Sequence, residues 1–150
     1  MDAVTYPNPS VIEFVQKRMI PLQVPHNAQP LANDFNIQWT PTLITLDFNG
    51  KEHHRTVGFL SPQELIPSLM LGIAKCHFDA ERFEEAIAIL DKLLAEYPQS
   101  DSAAEAIYLR GVSGFKKAHD AKQLKEAYVK LQKDYPASEW AKRASPYRLL

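Results

Sequence analysis

The chain has 150 residues, 45% of them hydrophobic, and its 17 basic and 18 acidic side chains leave a net charge of −1. That apolar content suffices for one domain or two small modules sharing an element, and the interspersed charges exclude the electrostatic footprint of a nucleic-acid binder. No apolar run approaches the roughly 20 residues of a membrane span, and the opening Met1-Asp2-Ala3-Val4-Thr5 lacks the basic and apolar regions of a signal peptide. The chain as written therefore reads as soluble and cytoplasmic, or periplasmic if a longer precursor exists.

Along the first 60 residues the periodicity changes every ten or so positions. Asn8 followed by Pro9 reads as an N-cap and first helical residue, with Val11, Ile12, Phe14 and Val15 as the apolar face of a helix running to about Arg18. Met19–Val24 is apolar, short and bounded by Pro25, and fits a buried strand. Asn27 is placed to cap a second helix with Leu31, Ala32 and Phe35 on its buried face. Thr42–Phe48 is a strand by composition, Asn49-Gly50 suits a two-residue hairpin turn, and Lys51–Phe59 is the returning strand.

From residue 61 onward one helical period persists. Ser61-Pro62-Gln63-Glu64 combines an N-cap serine, a first-position proline and a glutamate able to reach back to the cap, while Pro67 predicts a kink or restart between Leu65 and Ser68. Phe83, Ala86, Ile87, Leu90, Leu94 and Tyr97 mark a helix stopped by Pro98. Ala104, Ile107, Tyr108, Val112 and Phe115 mark the next, and Leu124, Ala127, Tyr128, Leu131 and Tyr135 a third, ended by Pro136. Cys76, the single cysteine, lies beside Ile73, Ala74 and Phe78 in a helical pattern and reads as a buried inert thiol; alone it excludes an internal disulfide and a two-thiol redox centre within one chain.

The stretches "YPQSDSAAEA" from residue 97 and "YPASEWAKRA" from residue 135 share Tyr-Pro-x-Ser-x-x-Ala-x-x-Ala. A helical repeat of this length means stacked hairpins: tyrosine closes a helix, proline forbids its continuation, serine caps the next, and the alanines allow close approach. With Ala74, Phe83, Ala86, Leu90 and Pro98 in the motif positions, the second half resembles the tetratricopeptide repeat family. The resemblance implies hairpins over residues 66–97 and 102–135, extra residues around 118–122, Leu124 where alanine is usual, and a capping helix over 139–144. The Tyr-Pro-x-Ser wording is most similar to repeats of bacterial envelope assembly proteins.

Trp39-Thr40-Pro41-Thr42 followed by "LITLDFNGKEHHRTVGFLSPQEL" resembles the cis-proline loop, hairpin and final helix of the thioredoxin family, and "MDAVTYPNPSVIEF" resembles the stretch immediately after the Cys-x-x-Cys motif in a bacterial branch of it. The resemblance implies a cis Pro41 in a loop that contacts extended peptides. It covers the later half of that fold only and lacks both redox cysteines, so no oxidoreductase role passes to any residue here. A sheet missing its middle strand would recruit another by self-association.

The resulting fold class is α+β: residues 1–65 as a partial thioredoxin-like module, residues 66–150 as two tetratricopeptide-like hairpins plus a cap, and the helix from Ser61 serving both. Candidate binding residues are Trp39, Thr40 and Pro41 in the loop and Tyr108, Arg110 and Phe115 on the array, where Lys116 and Lys117 could also meet a peptide carboxylate. The bland alternatives are a strand entry packed on the second helix, aromatic filling between hairpins, and charges on a solvated helix face. His53 and His54 are adjacent, which on a strand sends them to opposite faces, so they read as a solvated hairpin rather than metal ligands. No nucleophile motif, phosphate-binding glycine loop or paired carboxylates appear, and no cofactor or metal is expected. The leading reading is a non-catalytic protein- or peptide-binding module that forms a homodimer through its incomplete sheet. The alternative is the C-terminal portion of a thiol-disulfide oxidoreductase whose Cys-x-x-Cys lies upstream or on another chain.

Overall fold

In the computed structural model, which describes residues 1–150, helix α1 spans Pro9–Arg18 and starts as its sequence dictates. The Asn8 side chain accepts from the Ser10 N–H at 3.0 Å, and Pro9 sits where a missing N–H costs nothing. Val11 enters the core with Phe14 and Val15 packed beside it. The turn ahead of α1 is tied down by Thr5, whose buried hydroxyl donates to the Leu60 carbonyl at 2.6 Å.

Met19–Val24 forms no strand. It leaves α1 as irregular backbone, with Ile20 98% and Leu22 80% exposed. Apolar composition favours a strand only where a neighbouring edge supplies the other half of the ladder, and the two-stranded sheet does not reach this segment. The second helix also departs from expectation. α2 is the single turn Leu31–Asp34, entered through Pro30 rather than capped by Asn27; Leu31 is exposed, and Ala32 and Phe35 are only half-buried.

Strands β1 (Thr42–Leu46) and β2 (Glu52–Val57) pair antiparallel, Thr42 opposite Val57 and Thr45 opposite His54. Their connection has three residues, not two. The Asp47 carbonyl accepts from the Gly50 N–H at 3.0 Å, the Asp47 N–H donates to the Lys51 carbonyl at 3.0 Å, and Gly50 alone in the loop takes a positive φ, 79°. This is a type I turn followed by a left-handed glycine, and the Asp47 carboxylate stabilises it by accepting from the N–H groups of Asn49 and Lys51. The register slips at the end of β1: Leu46 faces Glu52, so His53 is an extra residue, a β-bulge.

Helix α3, Pro62–Asp79, runs eighteen residues without the restart predicted at Pro67. Pro67 removes one backbone bond, but it is fully buried, and packing on both sides of α3 holds the helix through it. Glu64 does not fold back to Ser61; its carboxylate accepts the Asp101 N–H at 3.0 Å.

α4 (Phe83–Glu96), α5 (Ala103–Ala118), α6 (Lys122–Asp134) and α7 (Glu139–Arg143) follow, closed by a 3-10 turn over Ser145–Leu149. α3 with α4 and α5 with α6 form helical hairpins, and α4 packs on α5, which makes a stacked array of the tetratricopeptide-like kind. The repeated tyrosines are C-caps: the N–H groups of Tyr97 and Tyr135 bond the Leu93 and Leu131 carbonyls at 2.8 and 2.9 Å before each proline. The repeated serines diverge. Ser138 caps α7, accepting the Ala141 N–H at 3.1 Å, whereas Ser100 is buried with no hydrogen bond to its hydroxyl, and α5 starts after Ser102.

The core has two parts. One joins Val11 with Leu65 and Leu71 of α3, Leu90 and Leu93 of α4 and Ala106 of α5; the other joins Ile107, Ala127 and Leu131 with Ala141 and Ala144. α3 is therefore shared, with β1 and β2 on one side and α4 on the other. β1 approaches so closely because position 72 is glycine: a Cβ there would lie 2.5 Å from Thr45 Oγ1.

Candidate functional site

The predicted array residues do not share one surface. Tyr108 and Phe115 are seven residues apart on α5 and fall on the same side by helical spacing, while Arg110, two residues on from Tyr108, points away from it. Tyr108 is covered by the chain's own C-terminus: its ring centroid lies 5.1 Å from that of Trp140 and 5.9 Å from that of Tyr147, and the two phenol oxygens are 3.0 Å apart. Burial and the Tyr108 phenol push the Tyr147 phenol up to about 12. Phe115 is half-buried and has the His119 ring edge-on, at 6.4 Å between centroids. Of the flanking cations, Lys117 pairs with Glu84 of α4 at 2.5 Å on the surface.

Arg110 does line a hollow. Between α4 and α6, above α5, lies a groove of about 370 Å³ whose apolar floor includes Leu94, Ile107 and Ala127. The Arg110–Asp91 ion pair stands at one rim, with Glu126 and Lys130 at the other. A second hollow of about 310 Å³ shares Leu94 and Lys130 as walls and reaches Pro98 and Tyr135, whose hydroxyl donates to the Pro98 carbonyl. Small residues create this shape. A Cβ on Gly111 would come 2.5 Å from the Ala127 Cβ, so α5 and α6 close together beneath the groove and no bulky side chain fills it. Gly111 and Ala127, small residues at facing positions of consecutive helices, were the sequence signal for this floor; hydrophobic periodicity alone reads them as ordinary core.

The loop residues occupy a different place. Trp39 is 68% exposed, Thr40 is exposed, and Pro41, half-buried after a cis Thr40–Pro41 peptide, leads into β1. The Thr42 hydroxyl donates to the Trp39 carbonyl at 2.6 Å, closing the loop locally. β1 packs on α3 and not on α5, so this loop does not join the groove.

The histidines of β2 correct the sequence reading most clearly. The bulge at His53 breaks the alternation of faces, and both imidazoles turn toward α3. The His53 side chain, 3% exposed, bridges Asp79 at the end of α3 (Nδ1–Oδ2 2.6 Å) and Asp47 of the hairpin loop (Nε2–Oδ2 3.1 Å). Its hydrogen bond, with those from the Lys51 and Asn49 backbones, holds the Asp47 carboxyl below the usual range. His54 Nε2 lies 3.2 Å from the Ser68 hydroxyl, which lies 3.0 Å from that of Thr56, and His54 Nδ1 accepts from Lys75 Nζ at 3.1 Å. Lys75 in turn pairs with Glu105 of α5 at 2.5 Å.

This Ser68–His54 pair is not a nucleophile and base. An ammonium group can only donate, so Nδ1 is the acceptor and Nε2 carries the hydrogen, donating toward Ser68. A general base would need the lone pair on that nitrogen. The network instead ties β2 to α3 and, through Lys75, to α5. Cys76 is half-buried on α3, and burial, with Asp47 and Asp79 adding to it, raises its thiol above the ordinary value, so it is not an activated nucleophile.

Burial, with Lys75 adding to it, lowers His54 from 6.5 to about 4. The unfolded chain therefore takes this proton first. Stability is intact above pH 6.5 and falls as pH drops toward 4, where the loss from this group levels off. Allowing for solvent screening of a partly exposed ring, the loss is about 1.5 kcal/mol. Thermal melts between these pH values should show it, and His54→Gln, which cannot titrate, should remove that share of the acid sensitivity. Equal acid loss in both proteins would mean that His54 is not held neutral.

Residues 59–147 match the model of the family YfiO, described as outer membrane lipoprotein. No curated protein and no solved structure matches the chain. The match covers the whole array from the entry of α3 to Tyr147. The hairpin and loop that carry the thioredoxin resemblance lie almost wholly before it, and nothing in these comparisons supports an oxidoreductase. A family of the outer membrane points to the cell envelope rather than the cytoplasm, and no helix of the chain is long and apolar enough to cross a membrane.

Proposed function

Since the chain belongs to the YfiO outer membrane lipoprotein family, which its residues 59–147 match, we propose that it is a non-catalytic protein-interaction module of the cell envelope. Its docking place is the groove between α4 and α6, filled by a segment of a protein partner. The observation that carries this reading is the groove's construction: a hollow of about 370 Å³ with half-buried Leu94 on its wall and the core residues Ile107 and Ala127 at its base, between two rims that each carry both signs of charge. An aliphatic anchor on the floor gives affinity, and the rim pairs, Asp91 with Arg110 and Lys130 with Asp134, fix its orientation by exchanging partners at little net cost. The hairpin module of residues 1–65 travels with the array as one unit, because α3 is common to both. Tyr108 serves this unit by holding the C-terminal cap rather than by meeting the partner.

Ala95, exposed at the groove wall, gives a clean test. Ala95→Trp fills the hollow without entering the core and should leave thermal stability unchanged. Affinity-purified envelope complexes quantified by mass spectrometry should lose the partner by about tenfold or more, equivalent to about 1.4 kcal/mol of binding. Unchanged recovery by a stably folded Ala95→Trp protein would rule the groove out.

A further inference from the structure

We propose that the chain pairs with a second copy of itself by strand exchange, Met19–Val24 of each protomer adding to the β1 edge of the other. The donor segment is built for pairing and has no partner. Ile20, Leu22 and Val24 are all exposed and recur at a spacing of two, so an extended backbone gathers them on one face. Its prolines set which edge pairs. Backbone N–H and C=O groups of alternate residues point to opposite edges of a strand, so positions 20, 22 and 24 offer one edge complete. Positions 21, 23 and 25 form the other edge, where Pro21 and Pro25 have no N–H. A segment of this pattern joins a sheet as its last strand and accepts nothing beyond it.

The acceptor is equally one-sided. With only two strands, β1 and β2 each keep a free outer edge. β2 carries Glu52 and Arg55, and charge along an edge is the usual protection against stray pairing. β1, with the sequence Thr-Leu-Ile-Thr-Leu, carries neither charge nor proline. Leu46 and Phe48 at its far end are exposed, as is Trp39 before its start.

The occupant follows from these two surfaces. Neither is charged, so nothing selects a charged partner, and both occur once in each chain. Two copies related by a two-fold axis satisfy both edges at once, and the proline-blocked outer edges close the assembly at a dimer. This contact is independent of the groove between α4 and α6.

The test is solution mass by analytical ultracentrifugation of the full chain and three variants, each checked for wild-type helicity and melting. Wild type should approach twice the 17.0 kDa chain mass. Leu22→Lys, which charges the shared face, and Leu22→Pro, which removes an N–H from the pairing edge, should sediment as single chains. Gln23→Pro, which removes one from the blocked edge, should remain a dimer. The proposal is overturned by a wild-type monomer at the highest concentration reached, by a dimer indifferent to both Leu22 variants, or by a monomeric Gln23→Pro.

Discussion

Replacing Leu90 with alanine is expected to lower the unfolding free energy by about 3–4 kcal/mol and the melting temperature by about 10 °C, the largest single-site effect in the chain. Leu90 sits in the middle of α4 with no exposed surface, in the cluster that joins α1, α3 and α5. A stacked array has no single centre, so each hairpin relies on the interface with its neighbour. Leu90 belongs to that interface. Its truncation would open a hole in a cluster that also holds Leu65, Leu71 and Leu93, themselves fully buried on packed helices, so little collapse relieves it. Chemical denaturation monitored by helical circular dichroism measures the loss, with an unchanged m-value indicating that the same structure unfolds. A loss below about 1.5 kcal/mol would mean the site collapses freely and that the hairpins do not share a rigid core.

Leu90 also marks how far local pattern reaches. Its place on the buried face of α4 follows from helical spacing alone, and so do the Tyr97 and Tyr135 caps and the prolines after them, because each depends on neighbours within a turn or two. The hairpin strands were legible for the same reason. The features that escaped the sequence depended on distant partners. Met19–Val24 has strand composition, but whether it pairs is decided by an edge elsewhere. Tyr108 looked like an open anchor; it is covered by Tyr147, 39 residues away, on a segment whose return is not encoded in any local pattern. A period-two rule sends the two histidines to opposite faces, and one extra residue in β2 cancels it. At the groove, Arg110 is legible as a surface cation, yet its setting between α4 and α6 depends on the missing side chain at Gly111 facing the small methyl of Ala127, and hydrophobic patterns do not register an absence.

The same kind of absence gives the second large effect: Gly72→Ala is expected to cost a net of about 1–2 kcal/mol and to act on the hairpin more than on the array. Alanine favours a helix interior over glycine by up to about 1 kcal/mol, so the intrinsic effect has the opposite sign. The contact decides otherwise. The new Cβ would stand 2.5 Å from Thr45 Oγ1, 2.9 Å from its Cβ and 3.2 Å from its Cγ2. Rotating the threonine side chain moves the first and third atoms but not the second, so β1 itself must withdraw from α3, an overpacking strain typically worth about 1–3 kcal/mol. As β1 withdraws, β2 goes with it, and the His54, Thr56 and Ser68 hydroxyl and imidazole contacts that depend on it lengthen beyond hydrogen-bonding range. Hydrogen exchange should therefore accelerate at β1 and β2 amides while α4, α5 and α6 amides keep their protection. Thr45→Ala in the same chain removes two of the three close atoms and should restore part of the loss, leaving the 2.9 Å Cβ contact unrelieved. If Gly72→Ala instead stabilises the protein, or quickens exchange evenly along the array, the hairpin is not held to α3 by this close approach, and residues 1–65 are not rigidly joined to the helices after them.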